Sequence, residues 1–435
     1  MLIFLILFVG TLTILLSYHL FGKWFNHLAI YAFSWMTMLY LYELRLISFV
    51  TLSTQTWLVI SAAFLSFFIG TITIFSTRKS SKLNPELTLN SIFLFGDRGK
   101  ILKYAIYILS IIGLLSALQH WSVLLNQYGT VSNALLNAYH IYKTRTSGEL
   151  KGVIPYIWLV IYPAIFLSGI YTAYKNKLTI ATILPIIALI LKEVANLSRS
   201  GILFGFSEFL ISFMLFRHFL KQEKSKKTQG KIKIVLGVSV LILLFIVGAA
   251  FVKTVRQATD TFKGTSGSLA KLEGGAFISP SIYFYAASQV GVLNQFLEAD
   301  KEKWSFGSNT FFTLYSALSK FDLVEQPPIY QQGYFIPDWS NTGTYLREVY
   351  GDFGYVGIFI VPYLLGLLSS LYWFKFYEKG KLQYLIILTH LYVVITISFF
   401  VLIIRSPAWT IGGIFLLLTI PFLERLVTRK LTITK

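Results

Sequence analysis

Apolar runs long enough to cross a bilayer recur from one end of this 435-residue chain to the other. A helix needs roughly 20 apolar residues to span the hydrocarbon. Lipid offers the backbone no hydrogen-bond partners, so such runs are confined to helices that satisfy their own N–H and C=O groups. Eleven runs meet or nearly meet the length, at about 2–20, 28–50, 55–76, 102–120, 153–174, 178–195, 201–217, 234–252, 354–374, 383–404 and 408–424. Only 13% of the residues are charged, where a soluble domain carries about a quarter. The expected fold class is an all-α polytopic membrane protein with about 11 transmembrane helices. The first run, Leu2 to Leu20, has no basic stretch before it and no small-x-small cleavage pattern after it. It therefore reads as a membrane helix rather than a removable signal.

The formal net charge of +19 does not point to nucleic acid, because the Lys and Arg residues are scattered through short connections. That is the pattern by which cytoplasmic loops orient a membrane protein. Eleven alternating helices place 23 Lys and Arg on one side and 15 on the other. The richer side, which includes 78–103, 217–233 and the tail from Arg425, is then cytoplasmic. The N-terminus falls outside and the C-terminus inside. There is no cysteine, which removes disulfides, thiol catalysis and Cys-based metal sites. Together these features suggest a bacterial plasma-membrane protein.

Two external connections are long: about 120–152 and 253–353. Long ordered loops are commonly functional. The expected organisation is residues 1–252 as eight membrane helices, 253–353 as a large external loop, and 354–435 as three helices and a cytoplasmic tail. The large loop is rich in aromatics, including Trp304, Tyr334 and Trp339, and two stretches in it, Ser281–Leu297 and Thr310–Phe321, read as short amphipathic helices.

External connections are normally poor in Lys and Arg, yet six arginines fall there: Arg45, Arg145, Arg199, Arg256, Arg347 and Arg405. Concentrated guanidinium suits an anion, since its planar fork matches phosphate geometry. Two polar runs carry the strongest signal. Lys192–Gly201 packs a Lys, Glu193, Asn196, Ser198, Arg199 and Ser200 into one turn before a helix. Free N–H groups at that helix start favour an anion. The competing reading is a capped helix with a snorkelling arginine. The second run, Asn341–Gly357, includes Tyr345, Arg347, Glu348 and Asp352, with glycines at 351, 354 and 357. Glu348 and Asp352 are four apart and share a helix face. The competing reading here is a glycine-rich packing seam. Arg45 has Glu43 as a ready partner. Only His120 and His140 are external histidines, and there is no Asp-x-Asp pair outside and no phosphate-binding loop. These patterns favour a reaction without metal, cofactor or nucleotide, on a donor that is already activated.

The Asn341–Gly357 run followed by the apolar stretch Ile358–Leu368 resembles the oligosaccharide repeat unit polymerases, the Wzy-type O-antigen and capsule polymerases. The turn Asn196–Gly201 resembles the family's other polar turn, and the layout of about a dozen spans with one late external loop is similar too. The resemblance implies a GT-C-like glycosyltransferase fold. It implies transfer of a growing glycan from undecaprenyl diphosphate onto a new lipid-linked repeat unit at the outer membrane face. It also implies that Arg199 and Arg347 contact the diphosphate, with a chain-length regulator and a flippase as neighbours. On that footing Asp352, Glu348 or Glu193 accepts the proton of the attacking hydroxyl. Arg45, Arg145, Arg256 and Arg405, with Ser198, Ser200, Asn341 and Tyr345, join the substrate contacts, and Trp304, Tyr334 and Trp339 line a sugar groove. An O-antigen ligase has the same layout and donor. A flippase or a scaffold has a similar composition, although no internal repeat is found.

Overall fold

The computed structural model describes residues 2–77, 92–138, 140–141, 144, 152–154, 157–220, 280–299 and 304–433. The expected span at 234–252, together with Arg145 and Arg256, lies outside them. The described chain is almost wholly α-helical, with one two-stranded hairpin. Six of its helices are long and apolar enough to cross a membrane.

Contacts divide the chain into two units. The first holds residues 1–81, 259–371 and 394–407. It contains α1 (Leu2–Phe21), α2 (His27–Glu43) and α3 (Thr54–Thr77), then α9 (Pro280–Ala287), α10 (Gln289–Glu298) and α11 (Phe312–Leu318). It also holds the hairpin of β1 (Tyr334–Phe335) and β2 (Trp339–Ser340), and α12 (Tyr345–Lys379) as far as Leu371. The strands are antiparallel, with Tyr334 opposite Ser340 and Phe335 opposite Trp339.

In this unit α3 crosses α12 where both carry glycine. A Cβ on Gly70 would strike the carbonyl oxygen of Tyr363, and one on Gly366 that of Phe67. Close backbone approach through small residues is how helices pack without a solvent-driven force between them. The two expected amphipathic stretches are helical, the first as α9 and α10 interrupted at Ser288, the second as α11 followed by a 3-10 turn at Ser319–Phe321. Helices α9 and α10 dock on α2, whereas α11 packs beside the 3-10 turn Ile403–Arg405. Tyr283 donates to the Leu41 carbonyl, and Gly291 lies under the Tyr42 ring. Asn294 of α10 accepts from the Ser53 amide at 2.7 Å and the Thr56 hydroxyl at 2.8 Å. Asn294 thereby anchors Ser53, whose hydroxyl accepts from the Thr56 N–H at 3.3 Å and caps the start of α3, where the first amides have no partner within the helix.

One expected span is shorter than its hydropathy indicated. Helix α2 ends at Glu43 rather than near Val50, and Arg45 adopts a left-handed φ of 49°. Ile47, Phe49 and Leu52 are buried, with Phe49 stacked 4.6 Å from Tyr42 and 6.1 Å from Tyr283. Hydropathy detects burial, and here the burial is against loop helices.

The second unit holds residues 82–258, 372–393 and 408–435. It contains α4 (Ile92–Tyr128), α5 (Val131–Leu136), α6 (Ile161–Lys175), α7 (Ile180–Ala195) and α8 (Ser200–Phe219). The rest of α12, α13 (Leu382–Ile397) up to Val393, and α14 (Pro407–Ile433) from Ala408 complete it. Helices α6 and α8 meet at Gly169, where a Cβ would strike Ser212. Glu208 is fully buried in α8, beside the Trp409 indole N–H and 3.8 Å from Nε2 of His390, with neither contact a well-formed hydrogen bond.

Candidate functional site

The Asn341–Gly357 run builds a compact charged cluster in the first unit. Its first two turns are helical because Tyr345 opens α12, held at its N–H by the Ser398 carbonyl (2.9 Å) and at its hydroxyl by Tyr31 (3.0 Å). Tyr345 is therefore buried in the core, and its hydroxyl contacts protein rather than an open face. Arg347 and Glu348 follow, both buried. The Arg347 guanidinium donates to Glu348 at 2.7 Å, to the Asn341 carbonyl at 2.9 Å and to the Gln332 carbonyl at 3.4 Å. The contribution of Asn341 is thus a backbone oxygen. Gly343 permits this course, since a Cβ there would meet the Arg347 side chain at 2.9 Å.

Arg405 enters from the 3-10 turn Ile403–Arg405 and places Nη1 4.0 Å from the same Glu348 carboxylate. Its Nη2 donates to the Pro328 carbonyl at 2.7 Å, and its guanidinium lies 5.1 Å over the Phe312 ring. Burial pulls the Arg405 guanidinium below its ordinary pKa, against the opposing pull of Glu348. Two guanidiniums thus share one carboxylate, and one N–H of Arg347, its Nε, and one oxygen of Glu348 have no hydrogen-bond partner. An unmet buried polar atom costs about 1–3 kcal/mol. The cluster is therefore stocked with hydrogen-bonding capacity that the protein itself does not use.

Asp352 has a different environment. One oxygen accepts from the Ser305 hydroxyl (2.5 Å), the Asn309 amide N–H (3.1 Å) and the Asn309 side chain (2.9 Å), and the other from the Thr310 N–H (2.6 Å). Four donors leave little capacity for a substrate proton. The residue clasps the 305–310 turn to α12. Ser305 and Asn309 carry no charge and belong to no motif, and Thr310 stands out only as the first residue of an amphipathic stretch. Gln331, which lies against Asn309 and Arg405, was equally silent.

The helix breaks two residues further on. Gly354 has φ 59° and ψ −146°, a region essentially closed to residues with a side chain. Trp304 packs on the bare face so created, 2.9 Å from where a Cβ would stand. Trp304 and Trp339 are each about half exposed. Trp339 lies against Gly333, and Tyr334 is the first residue of β1.

The second polar run belongs to the other unit. Lys192 and Glu193 form a buried ion pair, with the Lys192 ammonium 3.9 Å over the Trp158 ring. The Glu193 carboxylate lies against Gly201, where a Cβ would displace it. Arg199 occupies the position that caps α8, and Ser198 and Ser200 meet through their hydroxyls at 3.1 Å. Arg45, half exposed, stands 3.9 Å from the largely buried carboxylate of Glu43, a local pair at the end of α2. The six arginines thus resolve into Arg347 with Arg405 on one carboxylate, Arg199 in a separate unit, Arg45 paired locally, and two outside the described residues. A scan against protein-family models and searches of curated proteins and of solved structures found no match to the chain.

Proposed function

We propose that the chain is a bacterial plasma-membrane glycosyltransferase that polymerises undecaprenyl-diphosphate-linked repeat units into O-antigen, capsule or exopolysaccharide. In this reading it has eleven spans, a GT-C-like architecture, an external N-terminus and a cytoplasmic C-terminus. The observation that carries the proposal is the Arg347–Glu348–Arg405 cluster at the junction of the aromatic loop and an apolar helix.

In the reaction the acceptor hydroxyl oxygen attacks the anomeric carbon of the donor sugar. The bond from that carbon to the diphosphate oxygen breaks, and the electron pair leaves with undecaprenyl diphosphate. Arg347 and Arg405 neutralise the charge that develops on the leaving group, the electrostatic contribution usually largest in such transfers. Glu348, with one oxygen unpartnered, takes the hydroxyl proton. Asp352, with its four donors, positions the loop. The resemblance also gives Arg199 a role at a diphosphate; it belongs to the second unit, whereas this cluster belongs to the first. The aromatic rings Trp304, Tyr334 and Trp339 offer flat apolar faces to sugars.

Three measurements test the proposal. A deletion strain should display caps of a single repeat, and the intact chain should restore long glycan. Absence of all exported repeats would indicate a flippase instead, and bare acceptor a ligase. Reporter fusions at Lys82, Lys226 and the C-terminus should give a cytoplasmic signal, and those at Ser147 and Glu273 an external one. Arg199→Lys and Arg347→Lys should lose about a hundredfold in rate at equal membrane abundance, as loss of one such contact typically does. Full-length glycan from both alanine variants would refute the arginine roles.

A further inference from the structure

The segment 304–323 presents two faces that do not resemble each other. One is polar and faces the protein: Ser305, Asn309 and Thr310 hold Asp352, and Phe312 lies under Arg405. The other is apolar and uncovered. Phe306 is 75% exposed, Phe311 54%, Leu314 56% and Phe321 75%. From Trp304 to Ser319 there is no charged residue, and Lys320 and Asp322 follow at once. Large apolar side chains exposed together in one short, uncharged segment mark an interaction site.

Phe306 makes the pattern more pointed. Its φ is 45°, a conformation that a bulky residue adopts only under strain. The turn is locked in that shape by the Tyr315 hydroxyl donating to the Phe306 carbonyl at 2.8 Å and the Phe311 N–H donating to the Gly307 carbonyl at 2.7 Å. Strain here holds an aromatic ring outward, three-quarters exposed.

The neighbouring helix indicates the occupant. Trp304 packs on Gly354, and from the next residue α12 turns an apolar face outward: Tyr355, Val356, Phe359 and Ile360 are all at least half exposed. That stretch belongs to a candidate membrane span. The exposed face of 304–323 therefore begins where the lipid-facing surface of α12 begins, at the level where Trp and Tyr collect in membrane proteins.

We propose that residues 304–323 form an interfacial insert. Phe306, Phe311, Leu314 and Phe321 lie among the headgroups and upper acyl chains of the leaflet at the Tyr345 end of α12, and the inner face braces the Arg347–Glu348–Arg405 cluster. The partner is the lipid surface itself. Amphipathic segments with aromatic apolar faces bind bilayers in this manner, lying in the interface plane. The inference stands whether or not the chain transfers sugars.

The chain's lack of cysteine makes the test clean. Phe306→Cys, Leu314→Cys and Phe321→Cys are each given a nitroxide label in the full chain, reconstituted in vesicles of phosphatidylethanolamine and phosphatidylglycerol. Phe359→Cys serves as the lipid reference and Lys320→Cys as the water reference. The ratio of collision with oxygen to collision with a water-soluble nickel chelate should be severalfold higher at 306, 314 and 321 than at 320, and close to that at 359. Ratios at all three matching 320 would overturn the insert. Labels shielded from both reagents would overturn it as well, placing a protein surface there, such as a second copy of the chain. Each substituted side chain is exposed, and melting profiles matching the parent confirm that the fold is intact.

Discussion

Arg347 and Glu348 are adjacent on one helix, yet their charged ends meet at 2.7 Å. Successive residues on a helix do not ordinarily face each other. The pair forms because it sits in the first turn of α12, where the Asn341 and Gln332 carbonyls draw the guanidinium round and Arg405 approaches the same carboxylate. An acidic group also suits a helix start, where backbone N–H groups are unpaired.

Removing that carboxylate should be costly. Glu348→Ala leaves two buried guanidiniums facing each other, and breaking a buried pair in this way typically costs about 3–5 kcal/mol. Arg405→Lys should cost less, because it keeps the charge and replaces a contact already at 4.0 Å. Thermal melting of the purified variants decides the order. Equal melting temperatures for Glu348→Ala and the parent would show that the cluster is solvated in the native protein.

Asp352→Asn separates clasp from catalysis. The amide retains one acceptor oxygen for a site that presents four donors. The expected loss is about 1–3 kcal/mol, concentrated in faster hydrogen exchange at the Asn309 and Thr310 amides. A variant with unchanged exchange and abolished glycan extension would instead make Asp352 the proton acceptor.

The glycines of α12 should not respond alike. Gly354→Ala meets both a closed backbone region and Trp304, with an expected loss of about 1–3 kcal/mol. Gly351→Ala finds its nearest obstacle, Phe296, at 3.4 Å, so it should be neutral or raise stability by up to about 1 kcal/mol through helix propensity. Melting curves of the two variants side by side test the contrast, and a reversal would place the break elsewhere.

Glu208→Met should stabilise the protein. The native carboxyl is buried with both oxygens unmet, and each such atom costs roughly 1–3 kcal/mol. Methionine is unbranched and fills a similar space. A higher melting temperature is expected. A lower one would show that the Trp409 indole or the His390 ring beside it satisfies the acid.

The membrane character of the chain was legible from run length and charge alone, because both reflect transfer of whole segments between water and lipid. The helices at 280–298 and 312–318 were legible for a related reason, since their apolar spacing is local. Other features depended on contacts made across long stretches of sequence. The apolar residues Ile47, Phe49 and Leu52 look like the end of a span, and only the docking of α9 shows otherwise. Arg347, Glu348 and Asp352 stood out as charges beside an apolar helix. Their partners Ser305, Asn309, Thr310 and Gln332 are ordinary loop residues until folding brings them in. Tyr345 drew notice by lying in the charged run, but its hydroxyl belongs to the core.

The anchor that Asn294 provides for Ser53 and Thr56 bears on biosynthesis. Helix α3 leaves the ribosome long before α10 exists, and the five described helices α4 to α8 are synthesised between them. At about 5–20 residues per second, the Ser53 N–H waits at least ten seconds for Asn294, while Ser53 and Thr56 have only each other's hydroxyls. The first unit, assembled from three separated stretches, closes only after nearly the whole chain has emerged. During that interval α3 is an unfinished structure in the membrane, and the insertion machinery or neighbouring lipid headgroups must tolerate its open end.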